Sequence, residues 1–267
     1  MKVLVSSCDR YSDLWPAFFH LLFKHWPDCP TPVYLIGNRK TYQDPRVVTL
    51  SFPNDGGWAA NLRESLLKID GDYLVYLQDD YFFGAPVQHD RLVALHDFVR
   101  DAGGSMLQLK SRDAANSHEQ TDSTALAAHF ATSCKWMTTL QAAIWNRRHL
   151  HDIVAPEWSP WQAESGINVH AKKTGRGFYG IRPGQDAVFP YTEGVKGGYW
   201  MPAGVALCRS QGIEPDLRTR PVLPQGKSLL KKLVRSVLKR KTEYLKKLRP
   251  SATTYTVLPF DSKQIQS

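Results

Sequence analysis

Residues 73–83 read Tyr-Leu-Val-Tyr-Leu-Gln-Asp-Asp-Tyr-Phe-Phe, and this stretch decides the predicted fold. Its first five residues have the length and composition of a buried strand. The strand runs into two adjacent carboxylates, Asp79 and Asp80, and a second apolar run follows at once. Because an ordinary turn would carry Gly, Asn or Ser at this point, the pair indicates a ligand site at the end of a strand.

The chain before this stretch alternates between strand and helix patterns. Apolar runs predict strands at residues 3–5, 32–37 and 46–51. Apolar residues at helical spacing predict helices over residues 12–26, with Ser12 as N-cap, and over residues 58–69. This alternation predicts an α/β fold, in which a Rossmann-like, mostly parallel sheet is flanked by helices. Ligands of such sheets bind beyond the carboxyl ends of the strands, where the carboxylate pair lies.

The second half of the chain has a less regular pattern. Asn146 and Ser159-Pro160 predict helix starts. Strands are predicted at residues 105–109, 136–145 and 177–192, and a glycine-rich loop at residues 194–204. The predicted division is one α/β domain over residues 1–210, a Pro-rich linker over 211–226, a basic amphipathic helix over 227–249 and a C-terminal tail over 250–267.

The excess positive charge is concentrated in one segment. The chain has 34 Lys and Arg and 25 Asp and Glu. Residues 227–249 hold ten of these bases and one of the acids, so 24 of each remain and the rest of the chain is neutral. On a helical wheel, nine apolar residues of 229–248 occupy one half and most of the bases the other. This pattern favours a helix on an anionic membrane surface, and no nucleic-acid partner is expected.

Other features predict a cytoplasmic location, peripheral on the inner face of the membrane. Residues 2–7 already predict a strand rather than a secretory signal. No window has the roughly 18 consecutive apolar residues of a membrane span. The four cysteines form no CxxC pair, which disfavours a disulfide framework or a zinc site and is typical of a reducing cytosol.

The carboxylate pair has the chemistry of a divalent-cation site. Two adjacent negative charges repel each other when they are desolvated, and a cation between them removes the repulsion. Oxygen ligands suit Mg²⁺ or Mn²⁺, which keep waters and bind substrate phosphates. The alternative, from the residues alone, is a pair of solvated acids in a turn.

Three stretches of the first half, residues 5–11, 58–67 and 73–82, resemble bacterial glycosyltransferases of surface-polysaccharide clusters, which have the GT-A fold. The resemblance implies transfer of a sugar from a nucleotide-diphosphate sugar to a polysaccharide or lipid-linked glycan. The aspartate motif of that family, usually Asp-x-Asp, ends the fourth strand, and Gln78 replaces its first acid here. By position, Asp80 is then the ligand of Mn²⁺ or Mg²⁺, and Asp79 supports it.

The resemblance extends to residues 141–145 and 159–164, an aromatic-rich acceptor segment followed by a carboxylate near a helix start. It implies that Glu164 is the general base of an inverting transferase and that Trp158 and Trp161 bind the acceptor. The alternative is that a Glu in the first turns of a helix only complements the helix dipole. The carboxylates that remain as rivals for the base are Glu157, Asp186 and Glu193.

The same resemblance assigns residues to the nucleotide-sugar donor. Some follow the first strand, some lie on the helix after the Gly56-Gly57 turn, and one is a lysine between glycines, which brings positive charge close to a diphosphate. These donor residues are Ser7, Asp9, Arg10, Asn61, Arg63, Asp79 and Lys196. The alternatives are a solvated helix face for Arg63 and a flexible surface loop around Lys196.

Two other classes of function are consistent with the residues. A nucleotidyltransferase acting on sugar phosphates uses a similar sheet, but it normally carries an N-terminal glycine-rich loop, and residues 6–11 hold no glycine. A non-enzymatic peripheral membrane or nucleic-acid binding protein would use the basic segment for attachment and the neutral body as a scaffold.

Overall fold

The computed structural model describes residues 1–110, 127–182 and 186–224. The strands are β1 Lys2–Ser6, β2 Val33–Gly37, β3 Val47–Ser51, β4 Tyr73–Gln78, β5 Tyr81–Phe83, β6 Met106–Gln108, β7 Ala127–His129, β8 Ala143–Asn146, β9 Phe178–Ile181, β10 Tyr191–Glu193, β11 Val195–Lys196 and β12 Tyr199–Trp200. The α-helices are α1 Trp15–His25, α2 Trp58–Lys68, α3 His89–Asp101, α4 Arg147–Ile153, α5 Pro160–Thr174 and α6 Pro202–Ser210.

Eight of the described strands form one sheet in the order β3-β2-β1-β4-β8-β6-β9-β7. The first four are mutually parallel, and β8 is antiparallel to both of its neighbours. β9 lies parallel to β6, and β7 is antiparallel at the edge. Six of these eight strands therefore run in one direction, and the predicted α/β fold with a mostly parallel sheet is confirmed.

Helices cover both faces of this sheet. Successive residues of a strand point to opposite faces, so Val3 and Val5 pack in the core that includes α1, α3 and α6. Leu4 packs in the other core, which includes α2, α4 and α5. Burial on both faces explains why the parallel strands have continuous apolar runs rather than an alternating pattern.

The crossover pattern places a crevice between β1 and β4. The chain leaves β1 for β2 and β3 on one side and returns to β4 on the other. Parallel sheets bind ligands at such a switch of direction. The register pairs Ser6 with Gln78, the last residues of β1 and β4. Ser7 and Asp79 follow them directly and therefore lie side by side at the carboxyl ends of the two strands.

Several predicted boundaries are corrected by the structure. Helix α1 begins at Trp15 rather than after Ser12. The 3-10 turn over Asp9–Tyr11 is continued by turns through Leu14, and the Ser12 hydroxyl accepts from Lys40 Nζ at 2.8 Å. The two helix caps predicted in the second half of the chain are confirmed. Asn146 accepts a hydrogen bond from the His149 amide at 2.9 Å, and Ser159 forms a capping box at the start of α5.

The predicted strand over residues 136–145 is reduced to β8. In the first half of the predicted strand, side chains of α5 accept hydrogen bonds from backbone amides. Asn168 accepts from Met137 N at 2.7 Å, and Glu164 accepts from Leu140 N at 3.2 Å. These amides are therefore not used in a strand ladder. The region 177–192 likewise contains two separate strands, β9 and β10, and the loop predicted over 194–204 contains a β11-β12 hairpin and the start of α6.

The compact unit extends through Val222, which corrects the start of the predicted linker at residue 211. Arg220 is 5% exposed, and Trp200 N donates to the Pro221 carbonyl at 3.0 Å. The basic helix and the tail predicted over 227–267 lie outside the described residues. Within the described part of the chain, the helices are too short or too polar to cross a bilayer.

A close approach of two backbones fixes the segment that follows β10. A Cβ added at Gly204 in α6 would lie 2.6 Å from Gly194 Cα and 2.8 Å from its carbonyl oxygen. We expect Gly204→Ala to lower the free energy of unfolding by about 1–3 kcal/mol, because a backbone neighbour cannot yield as a flexible side chain does. The measurement is the urea midpoint. In the matched control Gly84→Ala the new Cβ meets Leu207 Cδ1 at an ordinary 3.5 Å, and an equal loss in both variants would contradict the prediction.

Candidate active site

A cleft of about 650 Å³ opens at the carboxyl ends of β1 and β4. The first turns of α2 and α5 and the β11-β12 hairpin form its other walls. It is lined by eight of the predicted site residues: Ser7, Arg10, Asn61, Asp79, Asp80, Trp161, Glu164 and Lys196. A smaller cavity of about 270 Å³ beside Gly104, Asn146 and His149 holds none of them.

Asp79 is buried and held by a chain of hydrogen bonds. Ser7 Oγ donates to Asp79 Oδ2 and accepts from Trp15 Nε1 at 2.7 Å. Burial raises the pKa of Asp79 well above its usual value, and the charge of Asp80 acts in the same direction, while the Ser7 hydrogen bond opposes both. Ser7 therefore orients a carboxylate rather than standing free for a ligand.

Asp80 has a different environment on the same strand end. Its carbonyl accepts from Gly194 N at 2.7 Å, but its Oδ1 is buried and has no hydrogen-bond partner among the described residues. Burial and the nearby charge of Glu193 raise the pKa of Asp80 to about 7. A buried acceptor without a partner is costly, and a bound cation or a donor group of a ligand would remove that cost.

The donor set fits a cation that shares its coordination with substrate. No three His, Cys, Asp or Glu side chains converge on one point in the part of the chain that the structure describes. Mg²⁺ and Mn²⁺ need only one or two carboxylates, and water and phosphate oxygens complete the shell. Asp80, with Asp79 beside it, supplies that number.

Lys196 lies on the opposite wall, in the β11-β12 hairpin. Its Nζ is 3.0 Å from Glu193 Oε2, and its side chain is 65% exposed. β10 pairs with β5 so that Glu193 lies opposite Tyr81, which brings both charges to the Asp80 strand end. An exposed ion pair of this kind is weak, so an anion in the cleft competes easily for the lysine.

Glu164 and Trp161 enter the cleft from the first turns of α5. Glu164 is half-buried, and its Oε1 accepts from Leu140 N at 3.2 Å. Trp161, one turn earlier, is 75% exposed. A large indole left this exposed at the edge of a cleft offers an apolar platform for a ligand.

Three predicted site residues have other roles in the structure. Asp9 caps the loop after β2, where its carboxylate accepts from the amides of Asn38, Arg39 and Lys40. Arg63 ties α2 to α4 through the carbonyls of His151 and Val154. Trp158 packs on Gly166 of α5, where an added Cβ would lie 2.2 Å from its ring.

These three residues do not line the cleft. The charged groups of Asp9 and Arg63 bond to backbone groups elsewhere, and the Trp158 ring packs against Gly166. Glu193, a rival for the base, does line the cleft. The other rivals, Glu157 and Asp186, are not among the residues that line it.

The sequence analysis missed several cleft residues. Asp55 Oδ1 accepts from Gly57 N at 3.0 Å and from Asn61 Nδ2 at 2.8 Å, which makes Asn61 a support of the turn before α2. The Asn-Asp-Gly-Gly turn after a predicted strand was the signal for Asp55. Tyr11 lines the cleft beside Arg10, and nothing in the sequence pattern distinguished it from a core aromatic residue.

No protein-family model matches the chain, and no curated protein matches it either. Among solved structures it is similar to S. aureus TarS 1–349, with 14% identity, a TM-score of 0.44 and coverage of 68% of this chain and 60% of that chain. The same TarS fragment in complex with UDP-GlcNAc gives 15% identity, a TM-score of 0.44, and coverage of 70% and 60%.

Another similar structure is the mannosyltransferase PcManGT from Pyrobaculum calidifontis in complex with GDP-Man and Mn²⁺, with 13% identity and a TM-score of 0.45. That match covers 68% of this chain and 54% of PcManGT. The chain thus spans 60% or less of the length of these glycosyltransferases. Likenesses at this level assign no activity to this chain.

The buried carboxylates predict a dependence of stability on pH in the absence of metal. Unfolded Asp80 ionises near its ordinary pKa of 3.8, and folded Asp80 near 7. Between these values the folded state binds more protons, so stability falls as pH rises through this window, and the loss persists above it. We expect Asp80→Asn to be more stable than the wild type at pH 8, by roughly 1–4 kcal/mol, with a small difference at pH 4.

The measurement is urea unfolding at both pH values in EDTA. Asp70→Asn is the control, because Asp70 is exposed and paired with Lys2 at 3.1 Å. An Asp80→Asn variant with no extra stability at pH 8 would show that the carboxylate is not strained in the fold.

Proposed function

We propose that this protein is a metal-dependent glycosyltransferase of the GT-A type. It transfers a sugar from a nucleoside diphosphate sugar to a hydroxyl of a polysaccharide or lipid-linked glycan, with inversion at the anomeric carbon. The observation that carries the proposal is the partnerless, buried oxygen of Asp80, in a cleft that Glu164 also lines. The cleft volume of about 650 Å³ is within the range for ligands of this size.

Asp80, supported by Asp79, holds Mn²⁺ or Mg²⁺ in this proposal. When bound, the ion neutralises charge on the departing nucleoside diphosphate. Ser7 and Trp15 keep the Asp79 carboxylate in a fixed orientation, so the site is organised before substrate arrives. Because Gln78 replaces an acid, the end of β4 carries one negative charge fewer. A third carboxylate there would add to the repulsion between the desolvated Asp79 and Asp80.

The cations of the cleft bind the diphosphate. Lys196 exchanges its weak partner Glu193 for a phosphate oxygen, and the exposed Arg10 lies on the wall formed by the loop after β1. Gly197 and Gly198 have φ values of 57° and 86°, which residues with a Cβ rarely adopt. This tight turn brings the hairpin backbone, with Lys196, against the cleft.

Glu164 acts as the general base. It accepts the proton of the acceptor hydroxyl while that oxygen attacks the anomeric carbon from the face opposite the leaving group. The hydrogen bond from Leu140 N at 3.2 Å occupies Oε1, which fixes the carboxylate and leaves Oε2 for the proton. Trp161, one helical turn before it, stacks on the acceptor.

Two variants in one assay test this function. Wild type is screened with UDP- and GDP-sugars for donor hydrolysis and thermal shift, with Mn²⁺ or with EDTA. We expect Asp80→Asn to lose both activity and the Mn²⁺-dependent shift.

We expect Glu164→Gln to keep donor binding and to lose roughly 10²–10⁴-fold in rate. Glu157→Gln, an exposed carboxylate outside the cleft, is the control. Full wild-type activity in excess EDTA, or normal turnover by either variant, would refute the assignment.

The sequence pattern of residues 227–249 supports a location at the inner face of the membrane. A cationic amphipathic helix lies in the headgroup plane, and each base near an anionic surface contributes about 1 kcal/mol. A lipid-linked acceptor would be met at the same surface. We therefore propose a cytoplasmic protein held peripherally by this segment.

Vesicle sedimentation tests the membrane proposal. The full chain is expected to sediment with vesicles that contain anionic lipid, more weakly at high salt, because the charge term is screened. A chain that ends at Pro224, beyond the compact unit that closes at Val222, is expected to stay folded and in the supernatant. Equal sedimentation of the two chains would show that the segment is not the anchor.

A further inference from the structure

Arg220 is a buried cation beside the cleft, in the segment that follows α6. It is 5% exposed, and arginine is rarely buried to this extent unless it is paired. Its Nε and Nη2 donate to the two carboxylate oxygens of Asp13 at 3.1 and 2.9 Å. This fork-to-carboxylate geometry is specific for arginine, so the contact fixes both side chains in one orientation.

The same guanidinium contacts the cleft wall directly. Nη2 donates to the Arg10 carbonyl at 3.2 Å, and Cζ lies 4.6 Å from the ring centroid of Tyr11, within the range of a cation–π interaction. Arg10 and Tyr11 both line the cleft. Its charge also counteracts the raised pKa values of Asp79 and Asp80.

The loop between β1 and α1 is therefore clamped at two points. Asp9 binds it to the loop after β2 through three backbone amides, and Asp13 binds it to Arg220. Arg10 and Tyr11, which lie between these clamps, form one wall of the cleft together with Cys8. A wall held on both sides loses little conformational entropy when a ligand binds.

We propose that Arg220 is a positioning residue for the nucleotide-sugar donor. Through Asp13 and Tyr11 it fixes the wall formed by Cys8, Arg10 and Tyr11, and so sets donor affinity rather than the rate of the transfer step. The inference rests on the proposed function for the identity of the ligand. The geometry of the clamp is independent of that function.

Calorimetry of the full chain with UDP and GDP in Mn²⁺, together with donor kinetics, tests the inference. Arg220→Met is expected to raise Kd and donor KM about tenfold, with kcat within about twofold. Arg209→Met is the matched control, because Arg209, near the end of α6, forms a comparable but exposed pair with Glu214 at 2.7 Å. It is expected to change neither constant.

A double-mutant cycle tests whether Arg220 acts on nucleotide binding through Asp13. If Arg220 acts through Asp13, the variant Asp13→Asn/Arg220→Met should bind nucleotide no more weakly than the worse single variant. The reason is that the effects of substituting two coupled residues do not add. Should Arg220→Met fail to fold, Asp13→Asn/Arg220→Gln removes both charges and keeps polar side chains at both positions. An unchanged Kd and KM in a folded variant, or a loss confined to kcat, would overturn the proposal.

Alkylation of Cys8 gives a readout that needs no nucleotide. Cys8 is partly exposed, while Cys29, Cys134 and Cys208 are buried. N-ethylmaleimide is expected to react with Cys8 several-fold faster in the Arg220 variants, because the wall is no longer held. If the wild type binds no nucleotide but the Arg220 variants are alkylated faster, the proposed function is refuted and the clamp is supported. An unchanged alkylation rate would refute the clamp itself.

Discussion

The carboxylate of Asp80 lies at the end of a strand between two apolar runs, and the cleft is arranged around the electrostatic cost of placing it there. Its neighbour Asp79 is buried and Asp80 Oδ1 is excluded from solvent, so two adjacent carboxyl groups share a poorly solvated position. The hydrogen bond that Ser7 donates to Asp79 limits that cost, whereas the Gly194 amide donates to the backbone carbonyl of Asp80 and leaves its carboxylate unpaired. The remaining unsatisfied oxygen of Asp80 is the observation on which the proposed cation site rests.

Such a site costs stability that the rest of the fold must offset. The two hydrophobic cores on either face of the sheet supply it, with side chains such as Trp145 and Trp200 almost fully excluded from water. The loops of the cleft are themselves braced by polar contacts to backbone, as Arg63 and Asp9 show. A rigid scaffold of this kind holds an unfavourable charge arrangement that an isolated loop would relax.

Local pattern predicted the first half of the fold well, because alternating strands and helices there follow the hydrophobic periodicity. It failed at residues 136–142, where side chains of α5 take up amides that a strand would use. It also missed Asp13 and Arg220, 207 residues apart, because a contact at that separation leaves no periodic signal. For the same reason the proline-rich residues 211–226 were predicted to form a linker, although Arg220 within them is buried in the fold.

By itself the sequence determined the fold class, the strand that ends in Asp79 and Asp80, and the segment that carries the excess charge. These are properties of neighbouring residues, set by periodicity, composition and local sterics. Only the tertiary structure decided which polar side chains reach the cleft. It separated Glu164 and Lys196 from Asp9, Arg63 and Trp158, because that choice depends on which distant backbone groups are left needing a hydrogen-bond partner once the chain has packed.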